Sequence, residues 1–172
     1  MITQIRVYPR IAIEDAVKGS RPIINGAPWH LISIYTLPEN LLMTEDNRHF
    51  LSMQGAVEFL SLRFWDIDEK TFEKIRAHRF QEKFKHAKLF EKWQAVSIIQ
   101  FLKDINKRPE EEILAVHCDA GISRSGAVGS FACDFFRLDY NEFKAMNPNL
   151  LPNAYVSKVL REEAGMTPLF IY

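Results

Sequence analysis

A strand–loop–helix pattern near residue 118 constrains the fold of this 172-residue chain more than any other feature. The run "EILAVHC", residues 112–118, is apolar and of strand length, and it leads directly into the short loop "DAGIS". After Arg124 the chain continues with "SGAVGSFACDFFRL", a run of small and apolar residues that suits a buried helix. A buried strand that runs straight into a helix is typical of an α/β fold with a parallel sheet.

The rest of the chain supplies further strands and helices. Three earlier runs are rich in β-branched or aromatic residues and are of strand length: "ITQIRVY", "HLISIYT" and "EFLSLRFW". Apolar residues recur at a helical period over 72–84 and 88–105, and helices are also predicted in "YNEFKAM" and "AYVSKVLREEA". The prolines and glycines between the first strands predict turns rather than long helices. We expect one domain, residues 1–172, with a central, mostly parallel sheet flanked by helices.

Composition narrows the class of partner. Lys+Arg and Asp+Glu are both 22, so the zero net charge gives no global signal for nucleic acid or for a membrane surface. No apolar run is long enough for a membrane span, and the N-terminus lacks the pattern of a signal peptide. The 2 cysteines are too few for a disulfide framework and lack the spacing of a zinc site, so we expect a reducing cytoplasm and no metal.

The loop after Cys118 has the features of an anion site. Ligands of parallel α/β sheets bind beyond the carboxyl ends of the strands, and Cys118 lies at such an end. A loop that enters a helix N-terminus can point several backbone N–H groups at one anion, with the helix dipole behind them. Gly121 permits a tight turn, and the fork of Arg124 can bind two phosphate oxygens. The predicted anion-binding residues are Asp119, Ala120, Gly121, Ile122, Ser123 and Arg124.

The same electrostatic field acts on the cysteine. A free thiol has a pKa of about 8.5, and a helix N-terminus and an arginine nearby lower it toward a reactive thiolate. Phosphoryl transfer to the sulfur of Cys118 follows as the expected chemistry. The bland alternative is a buried Cys118 with Arg124 as a surface residue at a helix start. An ATP-binding loop is excluded, because Ala127 and Val128 stand where Lys and Ser/Thr are required. Cys133, within an apolar helical run, is predicted to be a core residue.

The segment "HCDAGISRSG" resembles the signature of cysteine-dependent protein tyrosine and dual-specificity phosphatases, His-Cys-x5-Arg-Ser/Thr-Gly. The resemblance is specific over residues 113–131 and looser over about residues 30–164. It implies a compact phosphatase fold and a two-step mechanism through a phosphocysteine. In residue terms it implies Cys118 as nucleophile and Arg124 as phosphate clamp. It also implies that the Ser125 hydroxyl helps the sulfur leave, and that His117 braces the loop and stabilises the thiolate.

Asp119 is less usual at its position. A carboxylate facing inward would raise the pKa of the neighbouring thiol, so we expect Asp119 to face solvent. Its negative charge, in a loop without lysine, argues against phosphoinositides as substrates.

A proton donor to the leaving group is expected, and a carboxyl is the expected choice. The resemblance implies that it is an aspartate on a loop that follows a strand. The stretch "LRFWDIDEK" ends a predicted strand and offers Asp66 as first choice and Asp68 as second. The alternative role for either aspartate is to cap the following helix. Near the C-terminus, "NPNLLPNAYVSKVL" resembles the family segment in which an asparagine begins a helix and hydrogen-bonds the catalytic loop. Asn153 either has that role or is a plain helix N-cap.

Taken together, the sequence predicts an enzyme that hydrolyses phosphate monoesters. Protein or peptide phosphotyrosine is the leading substrate, and phosphoserine and phosphothreonine are further candidates. Phosphate, sulfate and vanadate are the expected loop ligands, and no cofactor, nucleic acid or membrane partner is expected. Two alternatives stay open: a phosphate-binding module without turnover, and a thiol enzyme similar to rhodaneses or arsenate reductases.

Overall fold

The computed structural model describes residues 1–19, 22–36, 44–77 and 84–167. In these ranges four strands form one sheet in the order β1-β4-β2-β3, and every pairing is parallel. The predicted α/β class with a mostly parallel central sheet is therefore confirmed. The strands are β1 Ile2–Pro9, β2 Trp29–Tyr35, β3 Ala56–Arg63 and β4 Glu112–Cys118, close to the four predicted runs.

The described ranges also contain seven helices. They are α1 Arg10–Val17, α2 Glu45–Met53, α3 Glu69–Arg76, α4 Lys92–Ile105, α5 Arg124–Phe136, α6 Tyr140–Met146 and α7 Ala154–Glu163. The helix predicted over 72–84 is shorter at its end, since α3 stops at Arg76 and residues 78–83 lie outside the described part. None of these helices is long and apolar enough to cross a membrane.

The prediction of turns between the first strands was wrong at two places, α1 and α2. Both helices are short, 8 and 9 residues, and they fit between the prolines and glycines on which that prediction rested. Thr44 caps α2, because its side chain accepts a hydrogen bond from the Asn47 N–H at 3.3 Å. Helices of two turns show too few apolar repeats for periodicity to identify them.

The core lies on both faces of the sheet. Successive residues of a strand point to opposite faces, so Ile32 and Val116 pack with α4, α5 and α7, while Leu31 and Ala115 pack with α1 and α2. Every residue of β4 is buried, as expected for the inner strand of a parallel sheet covered on both faces.

All four strands end at the same edge of the sheet because they are parallel. This edge carries Pro9 at the end of β1, which lies opposite Cys118 at the end of β4 in the strand register. Asn147 fixes the outer strand, since its side chain accepts from the Val7 N–H and donates to the Ile5 carbonyl, at 2.8 and 3.1 Å. The carboxyl edge is thereby held rigidly on the side where the loop after Cys118 begins.

Candidate active site

The loop from Asp119 to Ser123 connects β4 to α5 and packs against the end of β1. Gly121 has φ +70°, and a Cβ atom there would lie 2.4 Å from the Pro9 nitrogen. Only glycine fits such a position, because both the backbone angle and the space exclude a side chain. The Arg10 N–H also donates to the Asp119 carbonyl at 3.1 Å. The β1–α1 junction therefore supports the outer side of the loop.

A second support comes from the segment before α7. The N–H of Leu151 donates to the Ile122 carbonyl at 3.3 Å, and the N–H of Asn153 donates to the Ser123 carbonyl at 3.1 Å. These loop carbonyls are thus occupied by neighbouring segments. The backbone N–H groups of Ile122 and Ser125 instead favour the charged form of the Cys118 sulfur. The loop has the expected polarity of an anion site, with donors directed toward the sulfur.

Cys118 lies at the bottom of this loop and is 2% exposed. Its Sγ is 3.1 Å from the Ser125 hydroxyl oxygen. Burial raises the pKa of the Cys118 thiol, but the hydrogen bonds from Ser125 and Ile122 and the charge of Arg124 outweigh burial and bring the pKa below its usual value. The surroundings of Cys118 therefore favour the thiolate.

His117 points into the sheet toward β2. Its Nε2 is 2.8 Å from the Ser33 hydroxyl oxygen, and both residues are buried. Burial lowers the pKa of His117 to about 4, so the imidazole is neutral at pH 7. A neutral ring can brace β4 against β2, as expected of His117, but it supplies no positive charge to a thiolate.

Arg124 begins α5 and is 4% exposed. Its Nη1 donates to the Phe64 carbonyl at 2.8 Å and to the Thr36 hydroxyl at 2.9 Å. Its Nη2 donates to Asp119 Oδ2 at 2.6 Å. The bland alternative of a surface arginine is thereby excluded, since the guanidinium is held inside the carboxyl edge by residues of three segments.

Asp119 is exposed, as expected, but its carboxylate is also held by two donors of the site. Its Oδ2 accepts from Thr36 at 2.6 Å as well as from Arg124, although the side chain stays 43% exposed. Burial raises the pKa of Asp119, but these two hydrogen bonds and the charges of Arg124 and Arg10 lower it below its usual value. An ionised Asp119 turns to the rim of the site because two donors meet it there.

Asp66, the first-choice proton donor, lies beside the loop. Its Oδ1 accepts from the Ser123 hydroxyl at 2.8 Å and from the Asn153 side-chain amide at 2.7 Å. Asp68 instead caps α3 and accepts from the Thr71 N–H at 2.7 Å. Hydrogen bonds from Thr71 lower the pKa of Asp68, which makes it a poor proton donor near neutral pH. The structure brings Asp66, but not Asp68, into contact with loop residues.

Asn153 is the N-cap of α7, and its contact with the Cys118 loop is made by its backbone N–H, which donates to the Ser123 carbonyl. Its side-chain oxygen caps α7 by accepting from the Val156 N–H at 2.9 Å, while its amide group reaches Asp66. Cys133 is fully buried, as predicted, and burial raises the pKa of its thiol to about 11. Ala120 is exposed at the tip of the loop.

Sequence reasoning missed three residues of this site: Ser33, Thr36 and Arg10. A signal was present, because Thr36 directly follows β2 and Arg10 directly follows β1. The rule that parallel strands end at a common edge places both positions next to the Cys118 loop. Which side chain would bind Arg124 could not be read from that rule alone.

Comparisons with known proteins give the fold. No protein-family model matches the chain, and no curated protein sequence matches it. Among solved structures, the crystal structure of Tk-PTP in the active form is similar with a TM-score of 0.51 and 13% identity, over 95% of this chain and 91% of that one. Human tyrosine phosphatase-like serine/threonine/tyrosine-interacting protein has 20% identity and a TM-score of 0.44, over 94% of this chain and 91% of that one. PTPMT1 in complex with PI(5)P has 11% identity and a TM-score of 0.42, with coverages of 94% and 90%. At a TM-score of 0.51, the chain shares the fold of Tk-PTP.

Proposed function

We propose that this chain is a phosphatase that hydrolyses phosphate monoesters through a phosphocysteine intermediate. Protein phosphotyrosine is the leading substrate, and phosphoserine and phosphothreonine are further candidates. One observation carries the proposal: a thiol with a lowered pKa, a buried arginine and a hydroxyl meet in one loop, and Asp66 is hydrogen-bonded to that loop.

In the first step the Cys118 thiolate attacks phosphorus, and the bond from phosphorus to the ester oxygen breaks. Protonated Asp66 gives its proton to the leaving oxygen, which departs as an alcohol or phenol. The loop N–H groups and Arg124 donate to the equatorial phosphate oxygens, where charge is spread in the transition state. Positioning of the carboxyl is provided by Ser123 and Asn153, which both donate to Asp66 Oδ1.

In the second step water attacks the phosphocysteine and the phosphorus–sulfur bond breaks. Asp66, now a carboxylate, takes a proton from the water, so the acid of the first step is regenerated. The sulfur leaves as a thiolate, and the Ser125 hydroxyl, 3.1 Å away, donates a hydrogen bond to it. Inorganic phosphate is released. Neither step uses a cofactor.

The charge at the rim bears on the substrate class. Asp119 is half-exposed beside Arg124, so a second phosphate close to the reacting one would meet a negative charge there. This supports singly phosphorylated protein or peptide side chains rather than phosphoinositides. A protein substrate also suits this loop, because it lies at the carboxyl edge of the sheet and its residues Asp119 and Ala120 are exposed.

The experiment that tests the proposal is hydrolysis of a chromogenic aryl phosphate across pH, without added metal. The proteins are wild type, Cys118→Ser and Asp66→Asn. We expect no turnover by Cys118→Ser. Asp66→Asn should turn over slowly, with the fall of activity at high pH flattened, because that fall reports loss of the proton from the general acid.

Other results would point elsewhere. An Asp66→Asn protein with the wild-type pH profile would move the acid to Asp68. No turnover by wild type, together with binding of phosphate or vanadate, would contradict the proposal in favour of a binding module. Turnover of thiosulfate or arsenate, and none of aryl phosphates, would favour the rhodanese-like or arsenate-reductase-like alternative.

A further inference from the structure

The guanidinium of Arg124 is only partly used by the protein. Nη1 donates to the Phe64 carbonyl and to the Thr36 hydroxyl, which takes both of its N–H groups. Nη2 donates one hydrogen bond, to Asp119. The Nε atom is buried and has no hydrogen-bond partner in the described part of the chain. Arg124 therefore keeps donors at Nε and Nη2 although the residue is 4% exposed.

Two of the three partners of Arg124, Thr36 and Asp119, lie along one edge of the guanidinium. Thr36 Oγ1 and Asp119 Oδ2 are hydrogen-bonded to each other at 2.6 Å and each accepts from a different terminal nitrogen. They therefore close a ring over the outer edge, between Nη1 and Nη2. The inner edge, with the Nε–H and the second Nη2–H side by side, is the one that matches two oxygens of a phosphate.

We propose that Thr36 and Asp119 are positioning residues that hold the outer edge of Arg124, so that its inner edge is presented to two phosphate oxygens. The proposal rests on the proposed function, since it takes a phosphate group as the ligand. The pair joins the end of β2 to the first residue of the loop, 83 positions apart. It thereby sets the guanidinium relative to both strands before any ligand arrives, which reduces the ordering cost of binding.

Asp119 could act in the opposite way, as an internal anion that phosphate must displace from Arg124. The geometry favours positioning, because Asp119 lies on the edge shared with Thr36 and leaves Nε without a partner. The two roles predict opposite changes in the affinity for phosphate. Loss of a positioning contact weakens phosphate binding, whereas loss of a competing anion strengthens it.

The test is calorimetric titration of inorganic phosphate into the Cys118→Ser protein, with and without a second substitution. Thr36→Val removes the hydroxyl at almost constant shape and charge, and we expect roughly tenfold weaker binding from loss of hydrogen bonds to charged groups. Thr36→Ser keeps the hydroxyl and should restore most of the affinity. Thr3→Val, near the start of β1 at the far edge of the sheet, is the matched control and should bind like the parent.

Asp119→Ala is a second, independent test of the direction in which the affinity for phosphate changes. It removes a negative charge, which by itself favours an anion, so weaker phosphate binding would arise only from loss of the positioning contact. Binding by Asp119→Ala that is as tight as the parent's, or tighter, would overturn the proposal. Phosphate binding by Thr36→Val that is as tight as the parent's, or tighter, would also overturn the proposal. The thermal unfolding midpoints of Thr36→Val and Thr3→Val are compared, so that weaker binding can be separated from loss of folding. Phosphate binding needs no turnover, so weaker binding in both variants would support positioning whether or not wild type hydrolyses an aryl phosphate. Absence of turnover by wild type would contradict the proposed function alone.

Discussion

The two ends of β4 carry two different buried charge clusters. At the amino end, Glu112 has a side chain that is 2% exposed, and its two oxygens lie 2.8 Å from His30 Nε2 and 3.0 Å from Arg108 Nε. At the carboxyl end, Arg124 has a side chain that is 5% exposed and lies 2.6 Å from Asp119. Both clusters thus place an ionisable group inside the sheet, at the cost of removing it from water.

The clusters differ in what is left unpaired. Both carboxylate oxygens of Glu112 have partners, and Arg108 continues to Glu58 of β3 at 2.9 Å, so this cluster joins strands. Arg124 keeps a buried Nε without a partner among the described residues, next to a thiol with a lowered pKa. His30 Nδ1 is also buried without a partner among the described residues, so the difference lies in the charged groups. The Glu112 carboxylate is paired within the protein, which indicates a structural role, while the charged guanidinium of Arg124 keeps a buried donor for a ligand. Substitutions at the two ends should therefore change different properties.

The largest effect is expected from Cys118→Ser. It should reduce turnover of an aryl phosphate by roughly 10⁴-fold or more, because the hydroxyl that replaces the thiolate is a weak nucleophile. The thermal unfolding midpoint should stay close to that of wild type. Cys133→Ala, which changes the other thiol, should retain turnover. Equal loss of turnover in both variants would show that the effect is one of folding.

Asp66→Asn should lower kcat by about 10²–10³-fold, since an amide cannot donate the proton that a carboxylic acid supplies. The matched control is Asp68→Asn, because asparagine caps a helix about as well as aspartate, and this variant should keep wild-type kcat. The effect of Asp66→Asn should shrink for substrates with good leaving groups. The reverse ranking of the two variants would assign the proton donor to Asp68.

Glu112→Gln should act on stability alone. We expect a loss of about 2–3 kcal/mol in the free energy of unfolding, because the change leaves His30 and Arg108 without the buried charge that pairs with them. Glu111→Gln, at the exposed neighbouring position, should be neutral in urea denaturation. The kcat of folded Glu112→Gln protein should match wild type. A large fall in kcat with unchanged stability would remove the distinction between the two ends of β4.

The smallest effect is expected from Ser125→Ala, read as the pH dependence of Cys118 alkylation by iodoacetamide. The Ser125 hydroxyl hydrogen-bonds the sulfur and lowers its pKa, so removal of the hydroxyl should raise the pKa and move the alkylation midpoint to higher pH. The control is Ser130→Ala, further along the same helix α5, and it should leave the alkylation midpoint unchanged. An unchanged or lower midpoint in Ser125→Ala would contradict the assigned contact.

Much of the fold could be predicted from local sequence. The four strands are short runs of β-branched and aromatic residues, and burial of a parallel sheet makes such runs visible without an alignment. The loop from Cys118 to Arg124 was equally visible, because glycine, cysteine and arginine each have a local reason to be there. Helices α1 and α2 were not, since two turns supply too little periodicity.

What the sequence could not decide depends on contacts between distant parts of the chain. Asp119 is exposed, as expected, but its hydrogen bond from Thr36 could not be foreseen, because the chain brings Thr36 to the loop from the end of β2. The choice of Asp66 over Asp68 likewise depends on Ser123 and Asn153, which lie 57 and 87 positions away. Helix capping by Asp68, in contrast, is a local pattern and was foreseen as an alternative.

The most direct test of the central claim is a search for phosphate bound covalently to Cys118. Wild type and Ser125→Ala would be mixed with a labelled aryl phosphate, quenched rapidly in acid, digested and examined by mass spectrometry. We predict a phosphorylated peptide containing Cys118, more abundant in Ser125→Ala because loss of the hydroxyl slows departure of the sulfur in the second step. Hydrolysis by wild type with no label on Cys118 in either protein would contradict the phosphocysteine mechanism.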